Sequence, residues 1–140
     1  MTSAKRRKPP NADKPTPKNY EQINLASTDL KGAQLPEANL RHATLNDANL
    51  RNANLAGADL TDANLGAADL RDATLTDANL NAADLRNADL TGADLRGANL
   101  TDAKVEGADL TDTAQATGAQ GLPPDLLTSP LPEAASGGVG

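Results

Sequence analysis

The chain has 140 residues, no cysteine, a single tyrosine, neither phenylalanine nor tryptophan, and a formal net charge of −6. The lack of cysteine excludes disulfides, Cys-ligated metals and thiol chemistry, and the length leaves room for one small domain. No apolar run is long enough for a membrane span or a secretory core segment, so the expectation is a soluble cytoplasmic protein with no membrane contact.

Residues 1–20 hold six basic residues (Lys5, Arg6, Arg7, Lys8, Lys14, Lys18) against Asp13. Rich in Pro and Lys and poor in apolar side chains, this segment cannot bury enough surface to offset its ordering entropy, and is expected to be a disordered basic tail. The cluster at residues 5–8 has the look of a nuclear-localisation or nucleic-acid patch. Such clusters arise easily by chance, so the reading is a solvated tail, with direct nucleic-acid contact confined to a weak one through residues 5–8. Arg6-Arg7 is not read as a twin-arginine signal, because Lys8-Pro9-Pro10 follows where an apolar stretch is required.

From Leu25 to Leu110, leucine falls at every fifth position apart from Val105, and alanine stands two residues before each from Ala33 to Ala108. On a helix, at about 100° per residue, leucines five apart scatter around the axis. On a straight strand an odd spacing sends every second one to the wrong face. The chain must therefore turn once per repeat. In extended backbone Ala58 and Leu60 point inward together, while the residues at i−1, i+1 and i+2 around each leucine i face water and make the corner. Repeated with one hand, this gives a coil that stacks at about 4.8 Å per layer through parallel ladders. Alanine at i−2 fits because the section is narrow and packed at near-crystalline density. The leucine spacing alone is satisfied by a coil of fifteen residues as well as by one of twenty.

Repeats such as Ala48-Asn49-Leu50, Ala58-Asp59-Leu60, Ala78-Asn79-Leu80, Ala88-Asp89-Leu90 and Ala98-Asn99-Leu100 resemble the pentapeptide-repeat family, whose unit approximates A-(D/N)-L-X-X. The resemblance implies an all-β fold, a right-handed quadrilateral parallel β-helix with four repeats per coil. The β-helix is expected over residues 21–112, with about four and a half coils and a length of roughly 20 Å.

After Asp112 the clock lapses, with Gln115 where a leucine is due. Leu122, Leu126 and Leu127 surround Pro123-Pro124-Asp125, and proline suits the first turn of a helix. Residues 113–128 are therefore expected to form a short C-terminal helical cap over the open end of the last coil, with residues 129–140 a disordered tail. Tyr20 and Ile23 are candidates for an N-terminal lid. A dimer interface competes for either end, and a monomer is favoured.

Stacking by twenty aligns residues into columns on each side. One column reads Asp29, Asn49, Asp69, Asp89, Asp109, and its neighbour Lys31, Arg51, Arg71, Thr91, Thr111. Asp69, Asp72, Asp89, Asp109 and Asp112, with Lys31, Arg51 and Arg71, form the candidate interaction surface, mixed in charge near the N-terminal end and acidic near the C-terminal end. The competing reading of the i−1 Asp and Asn residues is structural, as corner formers whose short side chains bond nearby backbone.

Nothing points to catalysis. His42 is the single histidine and sits at an outward position, the serines lie mostly in the tails, and no multi-His site or phosphate loop is present. A convex rod gives stacked carboxylates no pocket in which to act or hold Ca²⁺. The expectation is no catalytic, metal or cofactor site and no cofactor. Residues 21–112 carry sixteen acids against seven bases, so the function expected is a non-enzymatic scaffold or interaction module presenting an acidic rod to a protein partner. The family resemblance implies an alternative, since some members mimic duplex DNA at a type II topoisomerase such as gyrase. Those members are longer dimers with Phe at many central positions, whereas this rod is short and built on Leu, and its basic tail opposes docking in a DNA groove.

Overall fold

The computed structural model describes residues 18–112 and 118–122. Along one side of the rod Asn19 bridges to Asn39, Asn39 to Asp59 and Asp59 to Asn79, all in parallel; along another run Asp29, Asn49, Asp69, Asp89 and Asp109. Partners twenty residues apart mean four repeats per coil, which excludes the fifteen-residue alternative. Each pairing is a single bridge centred on the residue before the leucine, and among the described residues no longer strand forms.

Bridges stay this short because the corner takes two residues of every five. At each corner the carbonyl of the central residue accepts from the N–H three residues on, as in Leu40 to Ala43 at 3.0 Å. The residue at i+2 has a positive φ: 59° at Asp62, 58° at Asp77, 68° at Gly57. Positive φ at the second central residue alone describes a type II turn. Asp, Asn and Gly fill most of these slots, the residues that tolerate the left-handed region. Ala67 (55°) and Ala82 (61°) have neither glycine's freedom nor a polar side chain to bond locally.

Four of the five N–H groups in an interior repeat find backbone acceptors. The i−1 N–H donates to the coil before (Asp59 to the Ala38 carbonyl), and those of i and i+2 to the coil after (Leu60 to Asn79, Asp62 to Asn81); the fourth closes the corner. The i+1 N–H is left over. It donates to the side-chain Oδ1 of the i−1 Asn or Asp, as Arg41 does to Asn39, Arg51 to Asn49, Thr61 to Asp59 and Arg86 to Asp84, each at 3.1 Å. At Gln34, whose amide is one methylene too long, the i+1 residue is Pro36, which has no N–H to satisfy, whereas Thr44, Thr74 and Lys104 depart from the pattern without such compensation.

Inside, the leucines from Leu40 to Leu100 and the alanines from Ala38 to Ala98 are all at or below 1% exposure. Each buried leucine contributes about 1.5–3 kcal/mol relative to an exposed one, and the alanines let four inward pairs fit one section. Leu25, Leu30, Leu35 and Tyr20 at one end, and Val105 and Leu110 at the other, are half-buried against this core.

Two features differ from the sequence reading. Thr61, at an outward i+1 position, is 9% exposed; its hydroxyl folds back to donate to Asp59 Oδ1 at 2.5 Å. The ladder also extends past Asp112. Gln120 bridges to Asn99, donates to the Ala98 carbonyl and accepts from the Leu100 N–H, a register of twenty-one in place of twenty. Gly121 then lies over Leu100 and Thr101 so closely, with φ at 87°, that a Cβ there would meet their backbone at 2.5 Å, and Leu122 turns into the core beside them. The expected basic tail (apart from Lys18 to Tyr20), most of the expected helical cap and the expected C-terminal tail lie outside the described residues. Among the described residues no helix is long and apolar enough to cross a membrane.

Truncating Leu65 to alanine in a central coil is expected to cost about 2–5 kcal/mol in urea denaturation, against less than about 0.5 kcal/mol for Lys104→Ala at an exposed i−1 position; equal losses would refute the inward assignment. Ala67→Gly relieves a left-handed alanine and is expected to raise stability by about 0.5–1 kcal/mol, the turn strain exceeding glycine's extra chain entropy. Destabilisation would show that the corner carries no such strain.

Candidate interaction surface

The structure brings the sequence-predicted residues together on one side of the rod. Asp69, Asp89 and Asp109 occupy successive rungs of one ladder. Arg51, Arg71 and Thr91 follow one another in the adjacent column, since the N–H of Asn52 donates to the Arg71 carbonyl and that of Asp72 to the Thr91 carbonyl. Lys31, Asp72 and Asp112 are exposed at the corners of the same side.

The carboxylates in the ladder are held by the chain itself. Asp69 accepts from the Arg71 N–H at 3.2 Å and takes the Arg71 guanidinium as a two-pronged fork, Nε on Oδ1 at 2.8 Å and Nη2 on Oδ2 at 2.6 Å. Arg71 Nε also lies 3.6 Å from Asp89 Oδ2 on the next coil. Asp89 and Asp109 accept both the N–H and the hydroxyl of Thr91 and Thr111. The Arg71 fork holds the Asp69 carboxyl below its ordinary pKa, and the Thr111 hydroxyl and N–H do the same for Asp109. The corner-former reading thus describes what these side chains do locally, while their outer oxygens still give the side its charge.

The fork recurs wherever Arg stands two residues after Asp. Arg86 grips Asp84 and Arg96 grips Asp94, each through Nε at 2.9 Å and Nη2 at 2.6 Å. The Asp84 carboxyl is lowered to about 2, foremost by its Arg86 hydrogen bond. Arg41 reaches Asp59 on the next coil at 3.4 Å, and His42 Nε2 lies 3.9 Å from Asp62.

Sequence reasoning missed one feature, a shallow depression of about 340 Å³ on the Asp84 side, lined by Asn46, Asn64, Gly66, Ala67, Asp84, Arg86 and Asn87. Its cause is that Gly66 and Ala67 interrupt a column of larger side chains, a signal visible in the sequence once the columns are twenty apart. Among the described residues no cluster of His, Cys, Asp and Glu could hold a metal ion.

A model of pentapeptide repeats matches residues 21–55, 38–77 and 73–112, eight copies in all. The chain belongs to the pentapeptide-repeat family. The right-handed quadrilateral β-helix is the fold of that family, and the bridges twenty residues apart in this chain agree with its four-repeat coil. The pentapeptide-repeat protein Rfr23 from the cyanobacterium Cyanothece 51142 is 28% identical over 75% of this chain and 84% of its own, with a TM-score of 0.42. The pentapeptide-repeat protein alr5209 from Nostoc PCC 7120 is 31% identical over 75% of this chain and 85% of its own, TM-score 0.39. QnrB1, a plasmid-mediated fluoroquinolone resistance protein, is 22% identical over 69% of this chain and 59% of its own, TM-score 0.33, a likeness of fold alone. No functionally curated protein matches the sequence.

The forks make this repeat protein sensitive to acid in a defined direction. The folded pKa of Asp84 lies below its ordinary value of 3.8, so its stabilisation is complete above that value and is lost as pH falls towards about 2. Asp69 and Asp94 shift the same way. Asp84→Asn retains an acceptor for the Arg86 N–H but not the charge. Its stability is expected to fall less steeply between pH 4 and 2 than that of the wild type; identical slopes by urea titration would exclude the fork as the cause.

Proposed function

We propose that this pentapeptide-repeat protein is a non-enzymatic cytoplasmic scaffold, a monomeric acidic rod that offers a protein partner a rigid array of charges. The reading takes the rod as residues 21–112 in about four and a half coils, capped by residues 113–128. The observation that carries it is the fixed carboxylate ladder Asp69–Asp89–Asp109, each member anchored by hydrogen bonds so that little side-chain freedom is lost when a partner binds. Asp72 and Asp112 extend the same surface at the corners.

A second reading is supported by the same ladder: carboxylates repeating at about 4.8 Å on an acidic rod could stand in for duplex phosphates at a type II topoisomerase. Two comparisons separate the readings. The full-length chain is expected to capture a partner from cell extract that the Asp72→Asn, Asp89→Asn, Asp109→Asn, Asp112→Asn chain does not; equal capture, or none, would defeat the scaffold reading on this surface. In a gyrase supercoiling assay, no inhibition at micromolar protein is the expected result. Inhibition reversed by the same four substitutions would instead favour DNA mimicry.

A further inference from the structure

The column of i+1 side chains that passes through Asn46 and Arg86 has a gap one rung tall. Gly66 stands between them, its carbonyl accepting from the Asp47 N–H while the Ala67 N–H donates to the Arg86 carbonyl. The two flanking side chains therefore start about 9.6 Å apart. The backbone does not require glycine here. Gly66 has no positive φ, and a Cβ on it would meet only Asn64 Oδ1, at 3.2 Å, and the Arg86 carbonyl, at 3.8 Å. Threonine stands at the equivalent places 61, 91, 101 and 111.

The missing side chain leaves its neighbours uncovered. Of the residues before a leucine from Asn39 to Asn99, Asn64 alone is exposed. Its Oδ1 accepts from the Gly66 N–H at 2.9 Å. Its Nδ2 makes no hydrogen bond among the described residues, because Thr44 lies one coil below it, where Asn39, Asn49 and Asn54 find Asn19, Asp29 and Gln34. Across the gap, Asn46 donates its Nδ2 to Asp47 at 3.2 Å and leaves its Oδ1 without a donor among the described residues.

The wall above is the Asp84–Arg86 fork, which occupies both carboxylate oxygens. Lys104 acts on the charge of Asp84, and Glu106 on that of Arg86, so the four charges cancel. A two-pronged fork lies in the plane of the guanidinium and leaves the faces of Arg86 uncovered by Asp84. An anion in the gap would meet Asp47 and the nearby Asp69 ladder, and a cation would meet Arg86, which is more exposed than Asp84. A neutral group suits the gap better than either, with an aromatic face for the guanidinium and a hydroxyl that can accept from Asn64 Nδ2 or donate to Asn46 Oδ1. Phenylalanine offers no such edge, and tryptophan only donates.

We propose that the depression beside Gly66 is a socket for one tyrosine side chain of the protein that docks along the Asp69–Asp89–Asp109 ladder. This rests on the scaffold reading and deepens it by naming the anchor of that interface. Ala67 and Asn87, which line the depression, stand two residues before Asp69 and Asp89, so socket and ladder meet at one corner of the rod. The ladder supplies attraction with little selectivity, whereas an aromatic side chain seated in a pocket carries a large share of an interface's affinity. At about 340 Å³ the depression is near the lower limit of ligand pockets, roughly 300 Å³, which is room for one side chain.

The test is a titration of ¹⁵N-labelled full-length protein with N-acetyltyrosinamide, reading the Gly66 and Ala67 amides, the Asn64 side-chain amide and the Arg86 Nε–H. Saturable shifts at these signals are expected, with none at the Ala56 and Thr76 amides on the opposite side. N-acetylphenylalaninamide should bind about two- to tenfold more weakly, the worth of one hydrogen bond. Gly66→Thr, which fills the gap, should abolish the shifts while the remaining amide spectrum stays native. Asn64→Asp, which keeps the acceptor for the Gly66 N–H and loses the donor, should weaken the tyrosine probe and leave the phenylalanine probe unchanged. No saturable shift, equal shifts with N-acetylglycinamide, phenylalanine binding as tightly as tyrosine, or shifts retained in Gly66→Thr would each overturn the socket. A partner captured equally by wild-type and Gly66→Thr protein would refute the socket and leave the scaffold standing. Tyrosine binding with no partner captured by the wild type would do the opposite, keeping the socket and removing the scaffold.

Discussion

A backbone that turns every five residues presents one N–H per corner that no parallel ladder reaches. In most repeats of this chain the short side chain of Asn or Asp, two residues earlier, accepts it. Around that contact the rest of the repeat is arranged. The acceptor must sit at i−1, which is where the single bridge forms. Leucine follows it inward, and the left-handed residue that completes the turn comes three places later. A longer strand would supply backbone partners in place of the side chain, but it would also lengthen the sides and open a core that leucine and alanine alone could not fill.

Where it forms, the contact selects Asn or Asp but does not choose between them. Asparagine and aspartate accept the corner N–H equally well, so whether a rung is neutral or acidic is left to other demands. For that reason the i−1 carboxylates are poor evidence of a binding site taken singly, while their distribution along the rod is informative. At Asp69, Asp84 and Asp94 an arginine two residues later holds the charge, and at Asp59, Asp89 and Asp109 a threonine hydroxyl does.

The inward half of the structure was legible in the sequence because it depends on local periodicity: leucine and alanine occupy the buried positions the clock assigned to them. The number of repeats per coil was not, since any closed coil respects a five-residue clock, and long-range pairing such as Asp59 with Asn79 had to decide it. The residues of the candidate surface were legible as columns once twenty was taken as the stacking interval. What each side chain does there was not. Thr61 is covered because its hydroxyl turns back to Asp59, a rotamer choice the sequence does not display, and the slip to a register of twenty-one before Gln120 leaves no mark in the leucine spacing, which has already lapsed.

Two ways of joining successive rungs meet in the middle of the rod. In the first coils amides do it: Asn39 donates to Asn19, Asn49 to Asp29 and Asn54 to Gln34. An amide can accept the corner N–H with its oxygen and still donate to the coil below. A carboxylate has no proton to give, so in the column that continues through Asp69 and Asp89 that link is lost, and Arg71, gripped by Asp69 and 3.6 Å from Asp89, joins the two coils instead. Amide rungs are neutral and indifferent to salt, whereas the arginine forks are partly exposed ion pairs that salt and acid weaken. Arg51 stands at the change from one scheme to the other. It has the arginine of the acidic coils and the asparagine of the neutral ones, so its guanidinium forms no fork on its own rung and acts instead on the charge of Asp69, one coil on.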